Sequence, residues 1–156
     1  MIELIIYLAI TSIILVSITA IMLTILMGQA KSFVGSELNY NVEYVSNFLT
    51  RDIKQANQIN SISTTTLSLK QQSNDVIYRF DRDTLTLWRQ YNAGVPIKMN
   101  TDFINIDGSF YDNSFSNKSK NVLVYLELIE FDDANKMSDF TATTSVIFSV
   151  ELRNRK

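Results

Sequence analysis

Glu3 is the only charged residue among the first 27, of which 21 are apolar. A carboxylate in that setting has two chemistries open to it. Ionised within a bilayer or a helix bundle it costs about 2.5–3.5 kcal/mol or more and calls for a partner. At the first turn of a helix, the backbone dipole favours an acid by about 0.3–1 kcal/mol. A second group of oxygens lies in the stretch Asp132-Asp133-Ala134-Asn135-Lys136-Met137-Ser138-Asp139. Asp132, Asp133 and Asp139 are ligand types suited to Ca2+. EF-hand spacing is missing and Lys136 stands among them, so a solvated turn is expected, with calcium as the alternative. The chain has no His and no Cys, which removes the usual zinc, haem and iron–sulfur ligand sets, Cys nucleophiles and His-based triads. There is no P-loop, G-x-S-x-G or dinucleotide fingerprint. The expectation is a protein that is not an enzyme and carries no cofactor. A net charge of −2 gives no electrostatic footprint for nucleic acid or anionic lipid. Trp88, Tyr91, Phe110, Tyr111 and Phe115 could form a binding patch; sheet core and flanks are the expected use.

The elements that position these residues follow from a division in composition. With 156 residues, the chain is long enough for one compact domain. Its 46% hydrophobic average joins two populations, since residues 28–156 hold 51 apolar residues of 129 and the other 29 charges. From Leu4 to Met27 run 24 residues without a charge, Gly or Pro. As a helix they span roughly 36 Å, more than the ~30 Å hydrocarbon core of a bilayer. Leu4, Ile5, Tyr7, Leu8, Ile10, Ile14, Leu15, Ile18, Ile21, Met22 and Ile25 give this helix an apolar surface bound by lipid or by other helices. Its hydroxyl residues, Thr11, Ser12, Ser17, Thr19 and Thr24, are expected to bond back to their own helix carbonyls. A cleaved signal peptide fits less well. The apolar stretch exceeds the usual roughly 7–15 residues, no basic segment precedes it, and no small-x-small site closes it.

Past Met27 the helical period continues while the composition changes. Val34, Leu38, Val42, Val45, Leu49, Ile53 and Ala56 recur at steps of three and four, one stripe of a helix. Ser36, Glu37, Asn39, Asn41, Glu43, Asn47, Arg51, Lys54 and Gln55 form the solvent-compatible remainder. Gly28 and Gly35 are the weak points, each costing about 1 kcal/mol against Ala. The spacing predicts one helix: residues 1–27 apolar all round, residues 28–59 amphipathic. From residue 60 to 156 the period is two. Val76-Tyr78-Phe80 and Leu85-Leu87 flank the turn Asp81-Arg82-Asp83, a β-hairpin over 75–91. Val122 to Leu128 and Val146 to Leu152 are further alternations. Thr64 to Leu69 and Phe103 to Phe110 are less regular candidates. The expected fold is α+β, a single antiparallel sheet packed on the far half of one long helix.

Ile2-Glu3-Leu4-Ile5-Ile6-Tyr7-Leu8-Ala9-Ile10 resembles the start of type IV pilin-like proteins and type II secretion pseudopilins. That family opens its mature chain with an apolar helix bearing one glutamate, in phrases such as FTLIELLIxLAI. Leu49-Thr50-Arg51-Asp52-Ile53-Lys54-Gln55-Ala56 is similar to the LxRDLRQA-like phrase of minor pseudopilins of the J and W kind. The glutamate stands third here and fifth in the family, and there is no helix-breaking Pro in the apolar half. The resemblance implies a minor pilin or pseudopilin, a structural subunit of a filament for secretion, for motility or adhesion, or for DNA uptake. It implies a monomer in the cytoplasmic membrane with its sheet domain outside, a prepilin peptidase with N-methylation, an assembly machinery, and other pilin subunits as partners. It also implies that Glu3 compensates the N-terminal amine, at Met1, of a neighbouring subunit and so sets axial register. The alternative is a monomeric, single-pass, membrane-anchored binding module.

Overall fold

The computed structural model describes residues 2–115, 120–130 and 142–153. Helix α1 runs unbroken from Ile2 to Gln55, the apolar and amphipathic halves in one element; it ends short of residue 59, because the chain turns into the first strand at Gln58. Among the described residues eight strands follow: β1 (Gln58–Ile62), β2 (Thr66–Gln71), β3 (Asn74–Asp81), β4 (Thr86–Tyr91), β5 (Ile97–Lys98), β6 (Ile104–Asp112), β7 (Asn121–Glu130) and β8 (Thr143–Glu151). The arrangement is α+β, as the two periods in the sequence require. The sheet is not single. β1 to β5 form a five-stranded antiparallel meander, and β6 to β8 form a separate three-stranded sheet.

The reason for the division lies at the outer edge of β6. Its amides are taken by turns of the first sheet rather than by a strand. Ile106 N donates to Leu85 O at 2.7 Å, and Phe110 N donates to Thr64 O at 3.0 Å. β6 therefore crosses the ends of the β1–β2 and β3–β4 hairpins, with its Phe110 ring 4.8 Å from that of Phe80. Gly108 is required at this crossing. A Cβ there would lie 2.3 Å from the Tyr125 carbonyl oxygen and 2.6 Å from the Phe80 ring, so backbone as well as side chain would have to move.

The hairpin expected over 75–91 is present, paired from Val76↔Tyr91 to Asp81↔Thr86. Asp81 Oδ1 accepts the Asp83 and Thr84 amides, confirming the Asp81-Arg82-Asp83 turn. Leu85, expected within the strand, instead closes the turn at φ 47. That left-handed conformation is rare for a bulky residue, and it presents the Leu85 carbonyl to β6. The edge strands β1 and β5 carried no clear alternation and emerge only from pairing with their neighbours.

The core lies between α1 and the inner faces of both sheets. Val45, Leu49 and Ile53 of the helix stripe are fully buried, as are Leu67, Tyr78 and Leu87 of the first sheet and Ile106, Leu126 and Leu128 of the second. Each such side chain contributes about 1.5–3 kcal/mol. Of the five aromatics that could have formed a patch, Phe110 is core, Trp88 is half-buried, and Tyr91, Tyr111 and Phe115 are exposed.

Candidate functional site: an exposed apolar helix locked to its domain

The upper half of α1 packs on the sheets; the lower half packs on nothing among the described residues. Every residue from Ile2 to Phe33 is exposed, with Tyr7 at 73% and Leu15 at 66%. α1 is long and apolar enough to cross a membrane, and its most apolar window has none of its residues buried within the chain. A contiguous exposed apolar surface of this extent marks a contact with membrane or protein. Leu4, Ile5, Leu8, Ile10, Ile14, Ile18, Ile21, Met22 and Ile25 are likewise all exposed. They lie round the helix rather than on one face, the pattern of a helix that could span a membrane.

The hydroxyl groups of the apolar stretch are internally satisfied. Thr11, Ser12, Ser17, Thr19 and Thr24 each donate to the carbonyl four residues earlier, at 2.7–3.0 Å. With those bonds made, the hydroxyls cost little in hydrocarbon. Glu3 stands in the first turn of α1, where the unpaired amides favour an acid. Met1, its implied intersubunit partner, lies outside the described residues, as do Asp132, Asp133 and Asp139.

Two polar clamps fix the helix to the body, and the amphipathic stripe alone did not disclose either. Asn41, assigned to the solvent side by the sequence pattern, is 1% exposed. Its side-chain carbonyl accepts the Thr101 amide at 3.2 Å, and its amide donates to Glu37 O and Thr101 Oγ1. The stronger clamp is Asp52, also 1% exposed. Both Nε and Nη2 of Arg89 reach its Oδ2 at 2.8 Å, and the Tyr78 hydroxyl donates to the same oxygen at 2.8 Å. Arg51 Nε approaches Oδ1 at 3.4 Å. Its guanidinium lies 4.5 Å from the Phe48 ring centroid. Gln71 of β2 donates to the Asp52 carbonyl. One carboxylate of α1 thus gathers donors from β3 and β4. A signal did exist: Asn41 and Asp52 sit three residues after Leu38 and Leu49, on the buried stripe.

Burial, followed by the adjacent Asp52 carboxylate, raises the Tyr78 hydroxyl far above its ordinary value of 10.0. The folded chain therefore holds this proton more tightly than the unfolded chain does. The associated stability is complete below pH 10.0 and declines as pH rises beyond it. Alkaline titration followed by Trp88 fluorescence should show this decline, and Tyr78→Phe should flatten it. An identical alkaline limb in that variant would place the transition elsewhere.

No family model, curated protein or solved structure matches this chain.

Proposed function

We propose that the protein is a structural subunit of a membrane-derived filament, of the minor pilin or pseudopilin kind. The observation that carries the proposal is a 54-residue helix whose lower half is apolar on every side and buried by none of the described residues, with one acid in its first turn. A plain anchor needs about 20 apolar residues and no long continuation clamped at two points to its domain. A subunit that is pulled from lipid into a bundle needs both, because the domain must follow the helix. In the monomer, residues 4–27 span the cytoplasmic membrane and the sheet domain lies outside. On assembly, by a machinery that takes prepilin-peptidase-processed subunits, lipid contacts are exchanged for helix–helix contacts and residues 60–156 face outward. Within lipid, helix association draws on packing rather than on the hydrophobic effect. The carboxylate of Glu3 is then compensated by the N-terminal amine of a neighbour. The chemistry is not enzymatic: the chain's work is to be stacked.

Cross-linking of the chain in membranes is expected to yield a ladder of oligomers. A single monomer band would favour the anchored binding module instead. Glu3→Ala should reduce incorporation into filaments severalfold while leaving membrane insertion intact. Incorporation equal to wild type would remove the register role from Glu3.

A further inference from the structure

The helix stripe that packs on the sheets does not stop where the sheets stop. Below Val34 it continues through Ala30, Met27 and Leu26 to Leu23, the same face at steps of three and four. Opposite that continuation stand Phe103 and Ile104, at the lower end of β6. Together they enclose a groove of about 480 Å³ between the helix and the underside of the domain. Its walls are mostly apolar, with Glu37 and Glu130 the two acidic residues at its upper end, and the large side chains at its mouth are open: Met27 is 68% exposed, Phe33 66% and Phe103 60%.

We infer that this groove is a lipid seat, occupied by acyl chains of the leaflet next to the domain. The inference rests on the membrane-anchor reading above and adds to it how the domain meets the bilayer. Lipid follows from continuity and length. The groove is the upward extension of the apolar surface that the bilayer covers: Leu23, Leu26 and Met27 belong to the span and line the groove together with Ala30 above them. Leu4 to Met27 is roughly 36 Å of helix against ~30 Å of hydrocarbon, a mismatch that a tilt of about 35° removes, within the range observed for spanning helices. Tilt direction is set by side chains at the interface. Phe33 is six residues above Met27, roughly 9 Å along the axis, level with the headgroup layer. Phe103 projects from the domain across the groove from it. Tilting toward this side lowers Phe103 into the interface and brings the groove to the acyl boundary. Tilting the other way would lift two exposed phenylalanines into water.

The test uses the full chain in phosphatidylcholine vesicles with Trp88→Phe, which removes the only native tryptophan. Tryptophan is then placed singly by Phe103→Trp, Phe33→Trp or Leu15→Trp, all at exposed positions. Lipids brominated near the headgroup should quench the first two more strongly than lipids brominated near the chain end, and both emissions should be blue-shifted. Leu15→Trp should show the opposite order. If Leu15→Trp is quenched and the other two are not, the anchor stands and the lipid seat is overturned. Blue-shifted but unquenched emission at Phe103→Trp would put protein in the groove, from this chain or a second copy, and would also overturn it. Absence of quenching in all three would overturn the seat and the anchor together.

Discussion

Asp52→Ala is expected to destabilise the domain by about 3–5 kcal/mol, the cost of removing one member of a buried ion pair. The carboxylate contributes little as an isolated attraction. What makes its loss expensive is the set of donors left behind. Arg89, 16% exposed at its side chain, would keep a charge with little water and without its Asp52 counterion. The Tyr78 hydroxyl would lose its acceptor in a site where the ring is fully buried. Trp88 pairs across the sheet with Arg79 and adjoins Arg89, so its fluorescence reports this region during urea unfolding of the full chain in detergent micelles. A second variant separates the mechanism from simple damage. Asp52→Leu combined with Arg89→Met and Tyr78→Phe removes every polar member at once and should recover most of the loss, since apolar replacements of buried ion pairs are often neutral or stabilising. A cost for Asp52→Ala below about 1 kcal/mol, the range of exposed pairs, would mean that the apolar stripe alone holds the helix.

The second large effect belongs to the other half of α1. Ile14→Arg with Ile18→Arg should abolish stable membrane insertion. The two positions lie one turn apart near the middle of the apolar stretch, and both are exposed. Each arginine at a helix centre costs about 3 kcal/mol where isoleucine contributes about −0.5, so the pair shifts insertion by about 7 kcal/mol. That is comparable to what the whole stretch supplies, whereas a single arginine would be tolerated by snorkelling and tilt. Carbonate extraction of membranes is the measurement, and the double variant should leave the pellet. Tyr40→Arg, an exposed site on the same helix above the span, should remain in it. Retention of the double variant at the wild-type level would show that positions 14 and 18 do not lie in hydrocarbon.

Legibility in the sequence followed the range of each interaction. The long helix could be read because its signals are local and repeat: an uncharged stretch, then a stripe at steps of three and four, with no proline to end it. The five hydroxyl back-bonds were likewise legible, since donor and acceptor are four residues apart. The strands with strict alternation, β3, β7 and β8, were visible for the same reason. Turn chemistry was harder to see. Gln72, Leu85 and Asn92 take the left-handed conformation without being glycine, so the usual marks of a hairpin were missing at the β2–β3 connection. Strand existence is a one-dimensional property. Strand neighbours are not, and the period-two pattern was silent on whether β6 would pair with the first sheet or cross it.

By itself, the sequence determined an apolar rod continuous with an amphipathic helix and an antiparallel β body. Hydropathy and periodicity are properties of neighbouring residues and require no knowledge of the fold. The tertiary structure decided that the body is two sheets, that Gly108 is needed where Phe80 and Tyr125 converge, that Asp52 is a buried clamp, and that Asn41 is another rather than a solvent-side polar residue. It also decided that the buried stripe outruns the domain and leaves a groove beneath it. Each of these depends on groups far apart in the chain, such as Asp52 with Arg89 or Asn41 with Thr101. Such pairings exist only once the core has brought the elements together, and no local pattern encodes them.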